Sequence, residues 1–506
     1  MVDFLKSNDI NCNLYGISLI KNYLDEIIDD MEKCKLFLNG LNSEILIILT
    51  SLFNKNNKKL LNELLYILIN FAYIEEGEKL FVTDEKILYN IATGLGKIKN
   101  DSNLINNGLW LIKNLSTSDE ICQILLNYKI VDFFDEIYER YLLDNNFMNN
   151  LICILGAFIK YKLDLKISKK STETPLYLLP SIKIFQTQLR PNLSSDFLKK
   201  IVLYLYRFSS FNSDKIYYKM IECTIHKEFM SFYPMIIQQI NEHNNKIKEI
   251  ESNQKNGINA NENKQKIEIL KTNVENYNMI CIIILKTLGK LMSSEDGIIT
   301  QILIDNGISK FLNYVLETSD LKIIKNAFFC MSNICSGSCG QVNDLFKNNT
   351  LIKAINIGKN IYEAINLNSK YDDEYFRMLI DAFRELNYVL SLAIVNSIKD
   401  NLIPLSLYDN YTAVILLIKG LNIFAEKECS DLICIILEAL YTLSIFDDFK
   451  NENQKESLIE VMEKNGTKEY VEKLIKNNNK NYKKYKDSVE KLYNCFLTDF
   501  QIENNF

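Results

Sequence analysis

The sequence predicts an all-α protein built as a solenoid of stacked helical repeats. Apolar residues recur at three- and four-residue spacing along almost the whole chain, which is the amphipathic-helix signal. Only 5 Pro and 16 Gly punctuate 506 residues, so little in the chain breaks helices or forces tight turns. Segments also align with one another at a period of about 40 residues, which in a helical chain means stacked units and not one globule.

The helical segments run for about 10 to 18 residues between short polar links, and no alternating strand pattern interrupts them. At 47% hydrophobic content the chain can bury a large core. Residues 239–276 stand apart as a polar, low-complexity stretch with little apolar face, and they read as a flexible insertion. The run KNNNKNYKKYKD from Lys476 reads as a solvated loop and helix surface.

Charge and cysteine usage narrow the function classes. A net charge of −6 and a pI near 5.4 argue against direct nucleic-acid binding, which rests on clustered Lys and Arg, but they suit a basic peptide partner. Cys153, Cys281 and Cys434 lie inside apolar helical stretches, and the polar start MVDFLKSNDINCNLYG has no secretory pattern, so a reduced intracellular setting is expected. The most apolar stretch, ICIIILKTLGKLM from Ile280, carries lysines and is shorter than the ~18 apolar residues a membrane span requires. A soluble protein without membrane insertion is expected.

Three segments display the repeat: one from Gly108 (GLWLIKNLSTSDEICQILLNYKIVDFFDEIY), one from Ile284 and one from Ala327. Each reads as an apolar helix, a Ser- or Gly-containing turn, a second helix, another turn and a third helix, the armadillo plan of three helices per repeat. Within these helices an aromatic residue is followed four residues later by Asn: Tyr66 and Asn70, Trp110 and Asn114, Phe329 and Asn333, Phe383 and Asn387. That spacing sets both side chains on one helix face, one turn apart. In a chain this rich in Tyr, Phe and Asn, ordinary packing is the other reading of any single pair. Trp110, the only Trp, stands out.

These pairs, with the text NAFFCMSNICSGSCGQ, AFRELNYVLS and the closing LIEVMEKNGTKEYVEKLI, resemble the importin-α family over roughly residues 50–496. The resemblance implies a right-handed superhelix of about nine or ten armadillo units. It also implies that the pairs, together with Asn422 in KGLNIF, line a concave groove. There the Asn amides would hold the main chain of an extended peptide while aromatic slots take the stems of Lys or Arg. The implied ligand is a basic nuclear-localisation segment, and the implied location is cytoplasmic and nuclear.

The chain departs from that family's pattern in several places. Cys153 and Ala157 stand where the third repeat would hold Trp and Asn, Leu203 and Arg207 where the fourth would, and Lys286 and Lys290 occupy the fifth, the first of which is basic in that family too. Asn326 and Ile380 replace acidic residues expected before the aromatics. Residues 1–50 contain no Arg and include DEIIDDMEK, so they read as a helical cap without the arginine-rich segment that engages importin-β, and binding by that route is not expected.

An enzyme is not expected, and neither catalytic nor metal residues nor a cofactor are assigned. His226 and His243, the only histidines, have no neighbouring cysteine pair or paired carboxylates. Cys330, Cys335 and Cys339 lack a fourth ligand, and TGLGK from Thr93 lacks the spacing of a phosphate loop. The expected organisation is a cap at 1–50, repeats at 51–238, the insertion at 239–276, repeats at 277–447, and a capping repeat with tail at 448–506. The expected function is an importin-α-like adaptor for nuclear import. The alternative is an armadillo scaffold for cytoskeletal or membrane-associated partners in which the groove is vestigial.

Overall fold

The computed structural model describes residues 2–171, 173–190, 193–254, 260–295, 297–367, 373–397, 408–425, 430–445, 458–477 and 482–503. Every regular element among them is helical. The chain forms two compact units, Met1–Ile225 and His226–Phe506. No single described helix is long and apolar enough to cross a membrane.

In the N-terminal unit five helices stack side by side, each on the next: α1 (Ile10–Ile27), α2 (Lys58–Tyr73), α3 (Ser102–Leu115), α4 (Asn145–Ile167) and α5 (Ser195–Ser209). Shorter helices lie between them in sequence, such as Asp119–Asn127 and Ile130–Ile137 between α3 and α4, which gives the three-helix repeat. The expected cap therefore supplies α1, the first member of the stack.

Polar caps start these helices and set their register. The Asn57 side chain accepts from the Leu60 N–H at 3.0 Å, and Asp101 accepts from Asn103 and Leu104 N–H at 3.1 Å each. Asp144 and Ser194 do the same for α4 and α5. Such caps satisfy N–H groups that the first turn would otherwise leave unpaired. Tyr66 and Trp110 each fall nine residues after their caps, and Asn70 and Asn114 thirteen. The core side of α2 and α3 is continuous leucine, isoleucine and phenylalanine, including Leu64, Leu68, Phe71, Leu109 and Ile112, all fully buried. One stripe of each helix stays open.

The C-terminal unit contains a second stack: α6 (Ala260–Leu291), α7 (Leu321–Cys335), α8 (Asp373–Asn396), α9 (Ser430–Ile445) and α10 (Tyr482–Glu503). Two further helices, Thr350–Asn366 and Thr412–Ala425, pack against α8.

The stretch expected to be a flexible insertion is helical wherever it is described. Ile225–Gln254 and the first half of α6 run antiparallel, joined by a Glu251–Lys271 pair at 3.9 Å and by the edge-on rings of His243 and Tyr277. The apolar face here is thin, with Ile240 and Ile247 on one helix and Ile267 on the other. Two facing helices need only such a narrow seam, and Glu, Lys and Gln favour helix on the wet side. Pairs such as Glu262–Lys266 add local support. A polar composition with sparse isoleucines therefore hid a helical hairpin.

Candidate functional site

The open stripes of α2 and α3 meet in one pocket of about 320 Å³ in the N-terminal unit. Tyr66 and Asn70 come from α2, and Trp110 and Asn114 from α3. Ile69, Tyr73 and Asn107 complete the lining. Trp110 is 49% exposed and Tyr66 37%, so both residues are available to a guest. Asn70 Nδ2 donates to the Tyr66 carbonyl at 2.8 Å, and Asn114 Nδ2 reaches the Ile69 carbonyl at 3.5 Å. A carboxamide has two N–H donors and an acceptor oxygen, so these bonds fix each side chain while using only part of its capacity.

The sequence reading overlooked Asn107 and Tyr73, although each lies three residues from a chosen position on the same helix face, before Trp110 and after Asn70. The wall beside Tyr66 is built from α1. The Tyr66 hydroxyl donates to Asp25 Oδ1 at 2.7 Å, and this carboxylate, with burial adding to it, raises the phenol above its usual range. Lys21 Nζ lies 5.2 Å from the centre of the Tyr66 ring and 2.6 Å from Glu63.

The same register continues into α4 and α5, where Cys153, Ala157, Leu203 and Arg207 are all half-buried at the matching positions. None of these four positions holds an aromatic ring or an amide. Arg207 instead sits over Tyr204, 5.5 Å from its ring centre.

The C-terminal unit treats its pairs differently. On α7, Phe329 and Asn333 are half-buried, nine and thirteen residues after the Asp320 cap. Asn333 Nδ2 donates to the Gly289 carbonyl of α6 at 3.0 Å. The Phe329 ring lies so close to Gly289 that a Cβ there would sit 2.4 Å from it, so this position tolerates only glycine without a shift.

Phe383 and Asn387 do not line an open face, contrary to expectation. Both are 0% exposed. Phe383 packs against Phe424 and Tyr362, with ring centres 6.1 and 5.8 Å away, and Asn387 Nδ2 turns back to the Phe383 carbonyl at 2.8 Å. The half-buried face of α8 presents Asp381, Arg384 and Glu385 instead, with Lys325 of α7 2.6 Å from Asp381. Burial raises the Glu385 carboxyl above its ordinary pKa. Asn422 lies on Thr412–Ala425, a helix that packs on α8 from outside the α6–α10 stack, so it does not join the series either.

No group of three or more His, Cys, Asp or Glu among the described residues is placed to hold a metal ion. Cys330 and Cys335 are buried, and burial raises both thiols well above their usual range. Such thiols are poor nucleophiles and poor ligands.

No protein-family model matches this chain, and no curated protein matches it. Solved structures do. One comes from work on a phosphorylation switch that controls the interaction between cadherin and beta-catenin. It has a TM-score of 0.63 at 13% identity over 98% of this chain and 82% of that one. An engineered protein has a TM-score of 0.57 at 13% identity, covering 98% and 97%. The crystal structure of SYS-1 has a TM-score of 0.55 at 12% identity, covering 98% and 84%. The fold is that of the armadillo-repeat proteins. Identity this low speaks to the armadillo architecture alone, and leaves function to be argued from the residues on the stack.

Proposed function

We propose that this chain is a non-catalytic armadillo scaffold that holds an extended segment of a partner protein along α2 and α3. The observation that carries this reading is the one pocket in which both aromatic and Asn pairs of the N-terminal unit meet. Amides at Asn70, Asn107 and Asn114 can bond a peptide main chain whatever its sequence, and the rings of Tyr66 and Trp110 can sandwich one of its side chains. That a structure from work on the cadherin and beta-catenin interaction shares the fold is in keeping with a protein partner.

The narrower import-adaptor reading would make the segment a nuclear-localisation peptide and place the protein in cytoplasm and nucleus. It draws on the same N-terminal pairs but loses Phe383, Asn387 and Asn422 as groove residues, and residues 10–27, where such an adaptor would carry an importin-β-binding segment, form the stacking helix α1. A peptide-holding scaffold whose groove is in use along α2 and α3, unlike the vestigial groove of the alternative above, is therefore favoured.

A displayed random-peptide library tests the proposal. Peptides enriched on the wild-type chain should bind the Trp110→Ala, Asn114→Ala double variant at least about tenfold more weakly, a loss of about 1.4 kcal/mol. Retention of the same peptides by the folded double variant would sink it.

A further inference from the structure

The charge around the Trp110 pocket says what kind of side chain it takes. This inference rests on the reading above, in which an extended segment lies along α2 and α3. No lining residue carries a charge: the walls are tyrosine, tryptophan and isoleucine, and the polar groups are amides. Of the two carboxylates beside Tyr66, only Glu63 is paired with a cation, while the exposed Asp25 holds a neutral hydroxyl. Asp25 accepts the Tyr66 hydroxyl, and Glu63 is paired with Lys21 at 2.6 Å. The ammonium of Lys21 also sits over the Tyr66 ring, where a guest cation would otherwise gain its π attraction. Lys113, one turn beyond Trp110, is outside the lining and is bonded to α4, its Nζ 3.4 Å from Asn150 Oδ1.

A guest lysine or arginine entering here would lose water and find Lys21 already on Glu63 and on the Tyr66 ring, with Asp25, outside the lining, as the remaining carboxylate. An apolar side chain has no such cost and would bury its surface against rings on both sides. We propose that the pocket favours an uncharged, apolar side chain of an extended peptide over lysine and arginine, with Lys21 as the resident cation on Tyr66.

Trp110 is the only tryptophan in the chain, so intrinsic emission reports on this pocket directly. The full chain would be titrated with acetylated, amidated pentapeptides, Ala-Ala-Leu-Ala-Ala and Ala-Ala-Lys-Ala-Ala, at near-physiological salt. The leucine peptide should move the emission to shorter wavelength and bind at least about tenfold more tightly than the lysine peptide. In Lys21→Gln the lysine peptide should gain affinity, because Glu63 and the Tyr66 ring become available to it, while the leucine peptide should be nearly unaffected.

Equal or tighter binding of the lysine peptide to the wild type would overturn this specificity and leave the peptide-scaffold reading standing. If neither peptide altered Trp110 emission, both would fall. Unchanged lysine-peptide affinity in Lys21→Gln would remove Lys21 from its assigned part. The wild-type comparison needs no variant, so the specificity is tested even if Lys21→Gln folds poorly.

Discussion

Helices α2 and α3 and helix α8 carry the same aromatic and Asn spacing, yet the first two set it on an open stripe and the third buries it. In α3, Trp110 is half exposed and the Asn114 amide makes a long bond to the Ile69 carbonyl of the neighbouring helix. In α8, Phe383 is enclosed by Tyr362 and Phe424, and Asn387 lies against Gly420. Four-residue spacing guarantees that two side chains share a face, but not which face. A register error of two residues turns a helix by about 200°, enough to exchange core and solvent. Asp381 and Glu385, each two residues before the chosen pair, show that exchange on α8.

The comparison can be broken by substitution. Phe383→Ala should destabilise the C-terminal unit by about 3–5 kcal/mol, the range for a fully buried aromatic. Trp110→Ala, at a half-exposed site, should cost roughly 1–2 kcal/mol. Denaturant midpoints with unchanged slopes would measure both. Similar losses at the two sites would mean that the two rings are not differently buried.

Acid should separate the two units next. Both histidines lie in the C-terminal unit, and His226 is buried, with no hydrogen-bond partner for its ring among the described residues. Burial, helped by Lys227, lowers its pKa from 6.5 to about 4. A folded-state value below the unfolded one means that the neutral ring favours folding fully above pH 6.5. That contribution, roughly 3 kcal/mol, should be lost as pH falls from 6.5 towards 4. Hydrogen exchange resolved along the chain should show protection falling there in the C-terminal unit first, and His226→Gln should flatten the dependence. An identical response in both units would count against it.

Gly420→Ala should cost about 1–3 kcal/mol through overpacking. A Cβ there would meet Asn387 Oδ1 at 2.0 Å, so the methyl must displace the buried amide. Thermal unfolding would show the loss, whereas an unchanged midpoint would mean that Asn387 has room to move.

Much of the fold was legible because periodicity and composition act locally. The three-helix repeat could be read at Gly108, Ile284 and Ala327. The caps Asn57, Asp101 and Asp320 carried a further signal, a fixed offset to the aromatic residue that would have given register independently of the aromatics. On α8 that offset, counted in the sequence from Asp372, falls on Asp381 and Glu385 and not on Phe383 and Asn387. The helical hairpin was missed for another reason. Its stability comes from two thin apolar seams facing each other, and neither seam by itself exceeds what a solvated stretch would show.

By itself the sequence determined that the chain is helical, that its helices come in threes, and which residues share a face, because hydrogen-bonded helix geometry makes these properties of neighbours along the chain. Tertiary structure alone decided which faces stay open, that Tyr66 and Trp110 share a pocket, and that Lys21 and Glu63 meet beside it. Those contacts join residues some 40 positions apart, and side-chain packing between stacked helices brings them together.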